Sequence, residues 1–419
     1  MIKIKQWEKS IVKFLFYYTL VIQGLMSLLG LPQAVLYVKD IVMVIAVMLV
    51  VYAKINEVDY KSLPRQFISI LCVFFMCCLV SGVGGNVPNM QIVIAIRKLF
   101  RGFIYMFLCS EFLNIKDVNS MIYKAYKLQF INMLIIIVQR IVLNFDQDNC
   151  NGIFGTGLTN NYNGILCLFL VCYCTAEYIN NRCGIKFWVW QLMINFIIAV
   201  VAELKVLIFL IPISIIIIMR EKLFSGRGLK ISLFLCVGMV VAIIGFGTMY
   251  NDQLNVFTSI TGLLNYNNWG LATHAIVTRT NWMEYTLENI FQDSFYLKTM
   301  GIGFGEISGS LSSYITIGFY RSLGYGSYCA STLFLETGFV GLLLIFIWFI
   351  SLWINSFKKS QDNWVKIMRD SSKAFVFAMI IFLVYSNFLY NDSVFLTFFA
   401  FSLPFIAVKE SERVIQQTN

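Results

Sequence analysis

The run TGFVGLLLIFIWFISLWIN at residues 337–355 decides the fold class, because it is predominantly apolar and contains no charged side chain. A run of about 18 or more such residues can cross the hydrocarbon layer of a membrane as a helix. Comparable runs recur through the 419 residues, of which 59% are hydrophobic and 13% are charged. An ordinary soluble domain has about 25% charged residues, so this composition excludes soluble globular and disordered proteins. We therefore predict an all-α, polytopic membrane protein.

The apolar runs predict about twelve transmembrane helices and one large extracytoplasmic loop. We place the spans at roughly 12–30, 34–53, 66–83, 90–110, 128–144, 163–180, 187–202, 204–220, 231–249, 331–356, 374–391 and 393–408. The large loop occupies residues 250–330, and loops of more than about 12–15 residues are often functional. It separates nine spans within residues 1–249 from three spans and a tail within residues 331–419.

The large loop has sequence patterns of its own. Ile276, Met283 and Leu287 are among the apolar residues at helical spacing over 273–291, which predicts an amphipathic helix at the membrane surface. Further along, GIGFGE at 301–306 superficially resembles a phosphate loop. It lacks the GK[ST] ending and does not follow a strand, so we interpret it as a tight turn.

The basic residues are distributed asymmetrically over this topology. If the N-terminus is cytoplasmic, 23 of the 32 Lys and Arg residues lie inside, and the outer loops hold only Arg279, Lys298 and Arg321. Cytoplasmic loops are rich in Lys and Arg, so we predict both termini in the cytoplasm. The net charge of +10 is then a topology signal and predicts no nucleic-acid partner. Cys150 and Cys329 could both face outside, but the sequence leaves a disulfide between them open.

Two arginines in the fourth span are the leading candidates for a functional site. In NMQIVIAIRKLFRGFIYMFLCS at 89–110, Arg97 and Arg101 are four residues apart and share one helix face. A charged side chain in the membrane interior costs about 2.5–3.5 kcal/mol, and like charges at this spacing repel each other. We therefore expect the pair to bind an anion. The alternative is structural pairing with an acid such as Glu111, Glu177 or Glu203.

Four residues near the predicted outer surface are further candidates. Lys205, in the turn AELK, either pairs with Glu203 or binds an anion. His274, the only histidine, is either a surface residue or a general base. Arg279 lies close to the apolar face of the amphipathic helix and is expected to point toward a cavity at membrane level. Glu336 either has a structural role or approaches the substrate. With one histidine and no acidic cluster around it, we predict no metal site.

The order of AELK (202–205), the long outer loop, GIGFG (301–305) and LFLETGFVGLLL (333–344) resembles the bacterial O-antigen and capsule repeat-unit polymerases (Wzy-type), relatives of the O-antigen ligases. The topology matches over most of the chain. At residue level the resemblance is strongest over 152–168, 203–208 and 281–344. Ligases usually carry a histidine at the position of Ser327, and its absence here disfavours a ligase.

The resemblance implies an enzyme that joins polyprenyl-diphosphate-linked oligosaccharides at the outer face of the plasma membrane. A sugar hydroxyl attacks an anomeric carbon, and polyprenyl diphosphate leaves. The implied roles are catalytic for Arg279, His274 and Glu336, diphosphate-binding for Arg97, Arg101, Lys205 and Arg321, and glycan-binding for Asn160, Asn161 and Asn163. No cofactor or metal is implied. The expected partners are the lipid-linked oligosaccharide, the lipid bilayer, a flippase and a chain-length regulator.

Three other functions compete with a polymerase. An O-antigen ligase would share the topology. A polysaccharide flippase or other transporter would favour inverted repeats and interrupted spans, which are not evident in this sequence. A lipid-linked sugar transferase would need a pair of carboxylates on the first outer loop, where only Asp40 lies nearby.

Overall fold

A computed structural model describes residues 2–55, 64–146, 149–155, 160–220, 276–309, 319–355 and 362–418, with a few single positions between 228 and 247. These residues form helices, turns and loops and contain no strand, so the all-α prediction is confirmed for them. The long helices are α1 (Ile2–Leu29), α2 (Val38–Ile55), α3 (Arg65–Gly84), α4 (Asn89–Phe112), α5 (Ile115–Ile141), α6 (Asn160–Ile179), α7 (Ile185–Val201), α8 (Lys205–Met219), α9 (Cys329–Asn355), α10 (Asn363–Tyr385) and α11 (Ser393–Thr418).

Apolar helices of membrane-spanning length dominate the described part of the chain. Seven stretches there are long and apolar enough to cross a membrane: Trp7–Leu29, Gln33–Tyr52, Gln66–Gly84, Ile115–Ile141, Asn160–Ile179, Cys329–Asn355 and Ser393–Ser411. The helices α7 and α8 are apolar but shorter. The predicted span at 231–249 lies mostly outside the described residues. The count of twelve spans therefore stays a prediction.

The helix with the two arginines packs closely against the last long helix. A Cβ atom at Gly102 of α4 would lie only 2.5 Å from Val394 and 2.6 Å from Phe398 of α11, so glycine permits this approach. Small residues allow the backbones of membrane helices to come close in this way. Phe103 packs its ring 4.7 Å from that of Phe398 and 4.8 Å from that of Trp348 in α9. These contacts bring the start of α11 beside the middle of α4.

The segment GIGFG forms a tight turn, as predicted. Gly301, Gly303 and Gly305 have φ angles of +78°, +130° and +105°, which favour glycine over residues with a side chain. The turn also packs closely on α4, because a Cβ atom at Gly305 would lie 3.1 Å from the backbone of Gln91. The turn therefore lies against the first part of the helix that carries the arginines.

The amphipathic helix of the large loop is shorter than predicted where it is described. It begins at Trp282, runs to Tyr285 and continues as a π-helical turn over Thr286–Phe291. Arg279 lies in the turn before it. The rings of Trp282 and Phe291 lie 5.5 and 5.3 Å from that of Phe334. This face of the segment therefore packs on the start of α9.

Candidate functional site

A cavity of about 280 Å³ lies at the N-terminal ends of α2 and α11 and beside α4. We call it the cationic cavity, because four of its lining side chains are basic: Lys39, Arg97, Lys98 and Arg101. Its two carboxylates are Asp40 and Asp392, which leaves an excess of two positive charges. Gln23, Asn161 and Tyr162 also line it. An excess of cations in a site with apolar walls attracts anions.

Asp392, at the entry to α11, holds two of these cations. Its carboxylate lies 3.0 Å from Nη1 of Arg101 and 2.6 Å from Nζ of Lys39. Gln23 of α1 donates to the same carboxylate at 3.3 Å, and Arg101 also donates to the carbonyl oxygen of Tyr390 at 3.1 Å. Burial alone raises the pKa of the Asp392 carboxyl, but Arg101 and Lys39 outweigh it and lower this pKa below its ordinary value. Asp392 is therefore ionised at neutral pH.

Arg97 has a looser environment than Arg101. Its guanidinium lies 3.4 Å from Asp40 and 5.2 Å from the centre of the Tyr37 ring, and 39% of the side chain is exposed. In the described part of the chain, the Nε–H groups of Arg97 and Arg101 make no hydrogen bond. Both guanidiniums therefore keep hydrogen-bonding capacity beyond their ion pairs.

Lys98 connects the cationic cavity to the glycine-rich turn. Its Nζ atom donates to the carbonyl oxygen of Ser308 at 2.8 Å. Ser308 in turn donates to the Glu336 carboxylate, from its backbone N–H at 2.7 Å and from its hydroxyl at 2.8 and 2.9 Å. The backbone N–H of Ile307 adds a bond of 2.8 Å. The charge of Lys98 also interacts with that of Arg321, which is exposed on the short helix Phe319–Ser322.

Glu336, a residue of α9, is fully buried against this turn and is not among the described residues that line the cationic cavity. Its carboxylate accepts four hydrogen bonds from the turn, which agrees with the structural role that the sequence left open. Its position also gives it an indirect connection to the cavity through Ser308 and Lys98. The catalytic role that the resemblance implies for Glu336 stays a prediction.

Lys205 lies at the first residue of α8 and forms a buried ion pair of 2.8 Å with Glu203. This is the local pairing that the sequence allowed as an alternative to anion binding. Asn160 donates to the carbonyl oxygen of Ala202 in the same turn at 3.2 Å. Lys205 and Asn160 are not among the described residues that line the cationic cavity.

Arg279 lies against two tyrosine rings. Its guanidinium carbon is 4.3 Å from the ring centre of Tyr385, at the end of α10, and 5.7 Å from that of Tyr328. Such cation–π contacts are worth about 0.5–2 kcal/mol and fix the plane of the guanidinium. Tyr385 is followed by the connection 386–392, whose last residues line the cationic cavity. His274 lies outside the described residues.

The three candidate asparagines have different surroundings. Asn161 lines the cationic cavity. Asn163 is fully buried, accepts from Nδ2 of Asn132 at 2.8 Å and donates to the carbonyl oxygen of Asn151 at 3.1 Å. It therefore helps to anchor the loop 149–155 to α5.

Cys150 and Cys329 are each free thiols. The disulfide that the sequence left open is therefore not formed between them.

Of the residues that line the cationic cavity, the sequence singled out Arg97, Arg101 and Asn161 as candidates but not Lys39, Lys98 or Asp392. Lys98 follows Arg97 directly, and a neighbour on a helix points about 100° away, so it was not grouped with the arginines. Lys39 and Asp392 lie at the edges of predicted spans. The connection of seven residues between α10 and α11 would have been a useful signal, because a buried Asp beside buried arginines forms an ion pair. Compared with known proteins, the chain matches no family model and no curated protein sequence.

Proposed function

We propose that the chain polymerises polyprenyl-diphosphate-linked oligosaccharide repeat units into surface polysaccharide, O-antigen or capsule, and that the cationic cavity binds the diphosphate. One observation carries this proposal: four basic side chains converge on a small cavity between apolar helices, with two carboxylates against them. Charged residues among membrane helices are costly and are usually retained for function. A diphosphate on a lipid carrier fits such a site in charge and in its location at a membrane.

The proposed reaction is a glycosyl transfer. A hydroxyl oxygen of one repeat unit forms a bond to the anomeric carbon of a second, lipid-linked glycan. The bond from that carbon to the diphosphate oxygen breaks, and the electron pair leaves with the diphosphate. The hydroxyl proton passes to a base, for which His274 is the candidate. Arg97, Lys98 and Arg101 stabilise the charge that develops on the leaving diphosphate, and single donors of this kind contribute about 2.7–4 kcal/mol.

The remaining predicted residues are assigned around this step. Asn161 and Tyr162, at the wall of the cationic cavity, suit sugar hydroxyls and the faces of sugar rings. Arg321 and Arg279 are proposed to approach the diphosphate or glycan from the outer loop, and Lys205 from the first residue of α8. The proposal places twelve spans in the plasma membrane, with both termini in the cytoplasm and the cavity toward the outer face.

The test is deletion of the gene followed by electrophoresis of the surface glycan. A polymerase deletion leaves glycan with a single repeat unit. Lipid-linked polymer that is not transferred would instead indicate a ligase, and repeat units accumulating inside the cell would indicate a flippase. Complementation with Arg101→Ala at normal abundance then connects the result to the cationic cavity, and full-length polymer from that variant would contradict the proposed site.

A further inference from the structure

A second cavity, of about 680 Å³, is bounded by α2, α3 and α4 and closed at one side by Trp348 of α9. We call it the apolar groove. All of its lining side chains are aliphatic, aromatic or sulfur-containing, and none is charged. Six of them are aromatic: Phe67, Phe75, Phe100, Phe103, Phe107 and Trp348. Met76 and Ile104 at its wall are 56% and 37% exposed, so the groove opens sideways from the helix bundle.

The apolar groove and the cationic cavity share two helices. On α4, Phe100 lines the groove and Arg101 lines the cavity, so the two sites lie on adjoining faces about 100° apart. The groove residues of α4 run from Ile96 to Leu108, about 18 Å along the helix at 1.5 Å per residue. On α2, Lys39 lines the cavity and Val47 the groove. The groove therefore starts at the level of the cavity and extends away from it.

We propose that the apolar groove binds the isoprenoid chain of the same lipid whose phosphate groups occupy the cationic cavity. This inference rests on the anion binding in the proposed function. The occupant follows from complementarity, because a cationic site and an apolar groove on the same two helices fit one molecule with an anionic head and an apolar chain. A phospholipid of the bilayer is the competing occupant, and the saturated ligand in the following experiment distinguishes it from an isoprenoid.

The chemistry of the walls favours an isoprenoid over a saturated chain. The bilayer is as apolar as the groove, so the hydrophobic effect gives no gain when a chain moves from one to the other. Binding must then come from close packing against rigid aromatic rings. A chain with regularly placed double bonds has fewer rotatable bonds to immobilise than a saturated chain of equal length, so it loses less conformational entropy.

The experiment uses the purified full chain in nanodiscs of phosphatidylcholine. The ligands are undecaprenyl diphosphate, a saturated alkyl diphosphate of similar length and inorganic diphosphate. Two variants fill the groove from opposite walls, Ile104→Trp on α4 and Met76→Trp on α3. Val93→Trp on an exposed face of α4 outside the groove is the matched control, with abundance and thermal midpoint checked for all three.

We expect each groove variant to weaken undecaprenyl diphosphate binding by about tenfold, to leave inorganic diphosphate binding unchanged, and the control to change neither. If undecaprenyl diphosphate binds both groove variants as it binds the unaltered chain, the groove assignment is wrong while the anion site stands. If none of the three diphosphate ligands binds the unaltered chain, the proposed function itself fails. Equal binding of the saturated ligand would overturn the isoprenoid preference, because the groove would then accept any apolar chain, including that of a bilayer phospholipid.

Discussion

Glu336 and Lys98 are linked through one residue, Ser308. Its backbone N–H and its hydroxyl donate hydrogen bonds to the Glu336 carboxylate, and its carbonyl oxygen accepts a hydrogen bond from the Lys98 ammonium. The buried carboxylate fixes the turn, and the turn fixes the direction of the lysine. We therefore predict that Glu336 is a positioning residue for the cationic cavity.

A double-mutant cycle tests that link. Glu336→Gln and Lys98→Gln are each expected to weaken binding of a lipid diphosphate, whereas the double variant should bind no worse than Lys98→Gln alone. Coupled residues give such non-additive effects, and distant independent sites give additive ones. Ser308→Ala, which keeps the backbone bonds, is the milder companion variant. Additive losses across the cycle would assign Glu336 a general structural role instead.

Two substitutions of Arg101 separate the effect of its positive charge from that of its planar guanidinium group. Arg101→Ala should lower polymer formation by about 10²–10³, because a donor that stabilises the leaving group is removed. Arg101→Lys should recover only part of the rate, since a point charge does not reproduce a bidentate guanidinium. The assay is polymerisation of purified lipid-linked repeat units by the reconstituted protein. Arg140→Ala, outside the cavity lining, is the control and should remain near normal.

Asp392 is predicted to determine stability more than any other carboxylate of the cavity. Asp392→Asn leaves Lys39 and Arg101 buried without their shared anion, and breaking a buried pair in this way costs about 3–5 kcal/mol. The comparison is Asp40→Asn, because the partner of Asp40 in the cavity, Arg97, is 39% exposed and their separation is longer, at 3.4 Å. Its loss should be below about 1 kcal/mol. Thermal unfolding midpoints compare the two variants, and equal midpoints would contradict the ranking.

The same network predicts a pH dependence. Burial tends to raise the pKa of Asp392, but its two cations hold it below the ordinary value of 3.8. A lowered folded-state pKa stabilises the protein above the unfolded-state pKa, and this stabilisation is lost as the pH falls through the folded-state value. We therefore expect no contribution of this residue to the pH dependence between about pH 8 and pH 5, and a loss below about pH 4 that Asp392→Asn does not show.

Substitutions of Arg279 and His274 distinguish the charge stabilisation proposed for Arg279 from the base catalysis proposed for His274. Arg279→Ala should cost about 10²–10³ in rate. His274→Ala should be milder, because the ligase-like histidine position is Ser327 in this chain. Tyr385→Phe keeps the ring beneath Arg279 and should leave the rate nearly unchanged. Normal polymerisation by Arg279→Ala together with an inactive His274→Ala would reverse these roles.

The topology can be checked with reporters. A fusion after Lys222 or Lys359 should report the cytoplasm, and an insertion near Asn268 should report the outside, because 23 of 32 basic residues fall on the predicted inner side. A cytoplasmic signal at Asn268 would be incompatible with a reaction at the outer face.

The sequence predicted local features better than pairings between distant segments. Apolar length indicated the membrane helices, and spacing placed Arg97 and Arg101 on one face. The sequence also offered the Lys205–Glu203 ion pair as an alternative, because the two residues are only two positions apart in the chain. In contrast, Lys39 and Asp392 are 353 residues apart, and no helical periodicity connects them. Their pairing depends on tertiary packing, including the close approach of α4 and α11 at Gly102.

That separation has a consequence for how the protein is made. Lys39 and Arg101 are translated early in synthesis, whereas Asp392 is translated only with the connection that leads into α11. A nascent chain cannot form these ion pairs until α11 follows, and until then Lys39 of α2 and Arg101 of α4 are without the carboxylate that they share in the folded protein. The N-terminal helices therefore reach their final arrangement only after the last long helix has been inserted. Chains that stop before Asp392 are expected to be recognised by membrane quality control, even though every one of their own spans is intact.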